Sequence, residues 1–275
     1  MKKTMFFVCI AFYAFFASQC RSGLVTMTNA CYNAIQNGQS ENKAGNYSAA
    51  LEQFNKVLDQ CKAYDAKEKG YAGKAEALNG MKQYNEAIEA ATAGLQIKST
   101  SIDNLFQRAD AYLNLGRGTD AKADFSRIID LTGKNKNVTD RATVYAKIAE
   151  IDLRQKMYPD ALNNLNTAIS LDSTNADFYI LMGDLYSAQN NFAAATESYD
   201  KAIANGANAV TAWTAKTEGQ IKYYQQKYNT AGASELAAKM SPSEKEDLCK
   251  TITSAKTNGV HDMNIDLIRV SICKQ

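Results

Sequence analysis

Residues 183–203 read GDLYSAQNNFAAATESYDKAI, and the spacing within this stretch decides the fold. Gly183 is followed at offsets 9, 12, 16, 19 and 20 by Phe192, Ala195, Tyr199, Ala202 and Ile203. The same offsets counted from Gly38 give Tyr47, Ala50, Phe54, Val57 and Leu58. From Ala75 they give Tyr84, Ala87, Ala91, Gly94 and Leu95; from Ala109, Gly118, Ala121, Phe125, Ile128 and Ile129; from Ala149, Tyr158, Ala161, Leu165, Ala168 and Ile169. Alanine stands at offset 12 in all five. Offsets 12, 16, 19 and 20 are separated as i, i+4, i+7 and i+8, which puts their side chains on one face of a helix.

Each stretch therefore reads as a helical hairpin. The small residue at its start lets a second helix approach closely, alanine fills the matching position, and the residue four further on, usually large, packs beneath it. Turn residues precede the aromatic at offset 9, as in Gly45-Asn46-Tyr47 and Asn190-Asn191-Phe192. Pro159 follows Tyr158 directly, in the first turn of a helix, where a missing amide hydrogen costs nothing. A hairpin of this kind leaves an apolar side that only the next one can cover, so stacking is obligatory and about three units are the minimum.

The pattern resembles the tetratricopeptide repeat family, whose units are about 34 residues long. Units beginning at Cys31, Glu68, Ile102, Ala142 and Ala176 span 31–64, 68–101, 102–135, 142–175 and 176–209, with a partial sixth at 210–230. Aromatic residues near the start of first helices, Tyr71, Tyr145, Tyr179 and Trp213, fit the same scheme. The family's usual proline at the repeat end is missing: Lys62, Ser99, Gly133, Ser173 and Ala207 stand there. The resemblance implies an all-α superhelix of five to six hairpins over residues 31–230. The sixth unit has Asn229 where the others have alanine, so its first helix is expected to run on through Tyr223, Tyr224 and Tyr228 and to end the repeats. Beyond it, 231–275 should form a capping pair of helices. One opens at Ser241-Pro242-Ser243-Glu244, a capping-box start, and the other spans Ile265 to Cys273 with Asp262 near its cap.

Composition agrees with a helical chain. Two prolines in 275 residues, with 45% hydrophobic residues, leave little to interrupt long helices. Charged residues make up 22% and nearly balance at a formal charge of +2, which argues against a disordered tail and against an electrostatic footprint for nucleic acid. Length alone would give roughly two domains; the repeat reads instead as one continuous solenoid.

Lys2 and Lys3 precede an apolar run from Met5 to Phe16, followed by Ala17-Ser18-Gln19-Cys20. A twelve-residue run after a basic start has the layout of a secretory signal over 1–19 and falls short of the roughly 20 residues of a permanent membrane span. The protein is expected in the periplasm or cell envelope. Cys20 stands where a bacterial lipoprotein carries its lipid, although Gln19 and Ala17 depart from that motif. Lipidation at Cys20 and ordinary cleavage nearby are both open, and the anchor is the one membrane contact foreseen.

Outside this segment lie Cys31, Cys61, Cys249 and Cys273. Four cysteines allow three pairings, or four free thiols. In a hairpin that turns near Gly45-Asn46, Cys31 and Cys61 each lie about 15 residues back, about 22 Å along antiparallel helices. That favours Cys31 with Cys61. Cys249 and Cys273 flank a turn near Asn258-Gly259 at unequal distances, a looser match.

By analogy with the family, first helices line a concave groove, and the residue beside each small anchor points into it. These residues are Gln39, Glu76, Asp110, Glu150, Asp184 and Glu218, five of them acidic. Such a ladder would favour a basic or polar protein segment; the competing reading is a solvated position, with Lys69 and Arg154 neutralising part of it. Tyr32 and Phe106 could stack on a sugar or peptide, although aromatics at helical spacing usually pack. Chemistry has little to work with. His261 is the single histidine, so no histidine pair can form. Carboxylates on successive repeats would stand about 10 Å apart, near the upper limit for an inverting glycosidase, and their regularity is better explained by repetition. Gly70-Tyr71-Ala72-Gly73-Lys74 lacks the four residues a phosphate loop needs between glycines. No cofactor is called for. The resemblance, which extends to envelope repeat proteins of Bacteroidetes-like bacteria, implies a non-enzymatic scaffold that binds a protein or peptide; capture of glycans at the cell surface is the alternative.

Overall fold

A computed structural model describes residues 26–133 and 138–273. The signal segment 1–19 and Cys20 lie outside the described residues. Fourteen helices make up the described chain: α1 (Asn29–Lys43), α2 (Tyr47–Gln60), α3 (Tyr64–Gly80), α4 (Tyr84–Ile97), α5 (Ile102–Asn114), α6 (Gly118–Thr132), α7 (Val138–Arg154), α8 (Tyr158–Leu171), α9 (Ala176–Ala188), α10 (Phe192–Ala204), α11 (Ala209–Lys227), α12 (Ala233–Lys239), α13 (Pro242–Thr257) and α14 (Met263–Ile272). No strand occurs among the described residues. The fold is an all-α stack of helical hairpins. Helix α3 starts at Tyr64, four residues ahead of the unit boundary read from sequence, and α7 starts at Val138.

Five hairpins turn in the same way. The residue seven places after each small anchor has a left-handed backbone: Gly45, Lys82, Gly116, Lys156 and Asn190, with φ between 60° and 78°. At each, this residue and the next donate their amides back into the helix just ended, as Gly45 to the Asn42 carbonyl and Asn46 to the Glu41 carbonyl at 3.0 and 2.9 Å. This double return, the Schellman motif, satisfies two carbonyls that a helix end leaves open. Glycine takes the conformation freely; Lys82 and Lys156 hold it at a cost of roughly 1 kcal/mol each.

The chain divides into two compact units, one through Arg127 and one from Ile128. In the first, α1, α3 and α5 pack in succession as an inner row, with α2 and α4 against them. The Phe54 ring of α2 is fully buried between two glycines of that row. A Cβ on Gly38 would come within 2.7 Å of the ring, and one on Gly73 would be closer still. Side-chain links then tie successive helices. Asn42 donates to the Gly73 carbonyl and to Glu76, both at 3.0 Å, and Asn79 donates to the Gln107 carbonyl at 2.8 Å. Arg108 grips Asp124 through two bonds of 2.7 and 2.8 Å, which hold its guanidinium further toward the charged form.

In the second unit α7, α9 and α11 form the inner row. At offset 16 Leu165 and Tyr199 are buried as Phe54 and Phe125 are. Helix α11 has no alanine-bearing partner helix of its own; α13 packs on it instead. The C-terminal segment holds three helices, one more than the pair expected. The extra one, α12, has seven residues, too short to show a helical period, and is pinned by fully buried Leu236. With Ile252, Ile265, Ile268 and Ile272 it closes an apolar cluster under α11. Ser241 and Glu244 exchange bonds as a complete capping box at the start of α13.

Disulfides join Cys31 to Cys61 and Cys249 to Cys273, with Cα atoms 5.9 and 5.6 Å apart. The first ties the open ends of the α1–α2 hairpin, and the second ties α13 to the end of α14.

Candidate binding surface

The side chains that succeed the small anchors sit on the inner rows because they follow a buried residue by one position, 100° around the helix. In the first unit Gln39 is exposed on α1, and Glu76 on α3 is half-buried. Glu76 accepts from Asn42, so its carboxylate helps to join two helices. Asp110 accepts from Asn114 one turn on. Tyr32 is 55% exposed, whereas Phe106 is half-buried with its ring edge-on to Phe125 at 5.7 Å. Phe106 therefore contributes chiefly to packing.

The second unit carries a groove. Between α7 and α9 lies a depression of about 560 Å³. Ala146, Leu153, Phe178 and Leu181 supply apolar surface, while Lys147, Glu150 and Arg154 edge it on one side and Asp177 and Asp184 on the other. A smaller hollow of about 300 Å³ between α9 and α11 continues from Asp184 to Glu218 and Lys222. Asp184 borders both, so Glu150, Asp184 and Glu218 share one surface.

Their electrostatics differ from a bare acidic ladder. Glu150 is paired with Arg154 at 2.5 Å and Lys147 at 3.7 Å. Asp184 keeps an exposed outer edge while Tyr199 closes in its carboxylate from beneath, donating a 2.8 Å bond. That enclosure pushes its pKa above the ordinary value, against the opposing pull of the Tyr199 hydroxyl and Lys222. Tyr199 is in turn held firmly protonated by burial and by Asp184. Ser187 lies 3.2 Å from the same hydroxyl. The groove thus has an apolar floor and alternating charge at its rim.

Sequence reading placed the carboxylates but missed Tyr199, Lys222 and Asn42 as their companions. For Tyr199 a signal existed: offset 16 holds phenylalanine in two other repeats, and a hydroxyl buried there needs a partner. Among the described residues no group of three or more His, Cys, Asp or Glu could hold a metal ion, and no helix is long and apolar enough to cross a membrane.

A sequence profile described as "Tetratricopeptide repeat" matches residues 152–218, which run from α7 through α11. No curated protein matches the chain. Among solved structures, PilF of Pseudomonas aeruginosa superposes with a TM-score of 0.60 at 15% identity, over 83% of this chain and 96% of that one. A tetratricopeptide repeat protein of Parabacteroides merdae superposes at 0.55 and 12%, over 89% and 99%. MamA of Desulfovibrio magneticus gives 0.53 and 13%, over 66% and 97%. At such identities the likeness is one of fold.

Proposed function

We infer that this chain, a member of the tetratricopeptide repeat family, is a non-catalytic scaffold that holds a segment of another protein against its inner helical row. The observation that carries this reading is the groove of α7, α9 and α11, an apolar floor edged by charges of both signs. A segment with apolar anchors between basic or polar residues suits it: anchors would cover Leu153 and Leu181, while a cation would approach Asp184 and Glu218. Engagement of Glu150 by two cations and of Asp184 by Tyr199 supports a holding role for these carboxylates. The amino-terminal sequence supports delivery to a bacterial periplasm or cell envelope, with Cys20 as a lipid anchor. Globomycin-sensitive processing tests that anchor, and an unlabelled mature chain would remove it.

Affinity capture from envelope extract tests the scaffold. Changing Glu150 and Asp184 to Ala or Lys should reduce the yield of a specific partner at least tenfold. Undiminished capture would discard the carboxylates as partner contacts, and turnover of any glycan in a panel would overturn the non-catalytic reading. Glycan capture is the less favoured alternative, because Phe106, one of its two aromatic platforms, is packed against Phe125.

A further inference from the structure

Helix α14 is apolar on two sides. Ile265, Ile268 and Ile272 are buried against the C-terminal cluster. Met263, Leu267 and Val270, spaced i, i+4 and i+7, line the opposite side and are 86%, 61% and 68% exposed. A helix that closes a solenoid ordinarily turns a polar face outward. Turning this stripe inward would expose Ile265, Ile268 and Ile272, and the Cys249–Cys273 bond holds the end of the helix against it. Asn264 and Ser271 flank the stripe on one side, and Asp266 and Arg269 on the other.

We propose that the stripe is a contact between two copies of this chain, made by α14 lying antiparallel to α14 of the second copy across a two-fold axis near Leu267. A two-fold contact must be self-complementary, and the stripe is. About that axis Leu267 meets Leu267 of the second copy, and Met263 meets Val270 of the second copy. The charges match as well. In antiparallel helices like flanks face each other, so Asp266 comes beside Arg269 of the second copy, offset by about one residue's rise of 1.5 Å. Within one copy Asp266 pairs with Lys256 at 2.9 Å and with Arg269 at 3.5 Å, and the dimer would give Arg269 a second carboxylate. Three side chains per copy fall well short of the roughly 800 Å² per partner of a stable interface, so the dimer is weak and reversible.

Sedimentation of the full chain from about 5 µM to 1 mM should show a monomer–dimer equilibrium that L267E and V270K each weaken at least tenfold, with unchanged circular dichroism. With Cys9 and Cys20 replaced by serine, L267C should crosslink symmetrically under mild oxidation, because residue 267 sits at the axis, while N258C should not. A wild-type chain that stays monomeric to 1 mM, or a dimer indifferent to L267E, would overturn the proposal. So would binding to phosphatidylglycerol vesicles that L267E abolishes without any dimer, which would assign the stripe to lipid.

Discussion

Replacing Gly73 with alanine tests the packing that joins the first repeats. Alanine in mid-helix is favoured over glycine by about 1 kcal/mol, so on propensity alone the change should stabilise α3. The structure opposes this. A Cβ at Gly73 would overlap the outer edge of the Phe54 ring, which has no exposed surface and is backed by Gly38 on the other side. The ring cannot swing clear, so α1 and α3 must part or the rotamer must strain, at a cost in the upper part of the overpacking range, about 2–3 kcal/mol. The net effect should be a loss of about 1–2 kcal/mol. The sign should then depend on Phe54. In a Phe54→Ala background, itself destabilised by about 3–5 kcal/mol, the added methyl group enters vacated space and the helix preference emerges as a gain of about 1 kcal/mol. The coupling between the two positions would be at least about 2 kcal/mol, well above the scatter of independent sites. Urea unfolding followed by far-ultraviolet circular dichroism measures it, with disulfides intact and slopes compared for cooperativity. If Gly73→Ala is neutral or stabilising with Phe54 present, or costs the same in both backgrounds, the ring-on-glycine account is wrong.

The left-handed turn residues predict opposite signs for opposite exchanges: Lys82→Gly and Lys156→Gly should leave stability unchanged or raise it by up to about 1 kcal/mol, while Gly116→Ala should lower it by about 1 kcal/mol, read as shifts in thermal midpoint. Glu244 accepts from Lys227 at 2.6 Å, Tyr228 at 2.7 Å and the Ser241 amide at 2.8 Å, and these bonds hold its carboxyl down to about 2. Because the folded value lies below the unfolded one, the stabilisation is complete above about pH 4.5 and fades as pH falls toward 2. Glu244→Gln should cost about 1 kcal/mol at neutral pH and flatten melting temperature against pH across that window; an unchanged slope would refute the assignment. Peptide mapping without reduction should recover Cys31 with Cys61 and Cys249 with Cys273, whereas a Cys61–Cys249 peptide would contradict the hairpin register. Removing either bond should cost about 3 kcal/mol, measured by denaturation of the paired serine variants.

The repeat was legible because packing repeats by residue type: small at the anchor, alanine at offset 12, large at offset 16 in four of the five. The turn was less legible, since backbone conformation leaves a mark only where glycine or asparagine fills it. Lys82 and Lys156 adopt the same geometry without that mark, forced by the packing on either side. Helix α12 was missed for another reason. In seven residues only Leu236 is buried, and one position has no period.

The inner rows of the two units show why a set of like residues need not act as one charge. Each carboxylate follows its anchor at one helical position, and that part is written in the sequence. What each can do depends on the residue across from it, which lies on a different helix and varies between repeats: Asn42 for Glu76, Tyr199 for Asp184. Glu150 finds its cation one turn along its own helix. A cation brought by a partner must therefore compete with Lys147 and Arg154 at Glu150 but only with a neutral hydroxyl and Lys222 at Asp184. Recognition of positive charge should concentrate where α9 meets α11. Asp184→Asn should then weaken partner capture more than Glu150→Gln does. Equal losses at the two positions in a quantitative pull-down would show that summed charge, and not local pairing, governs the surface.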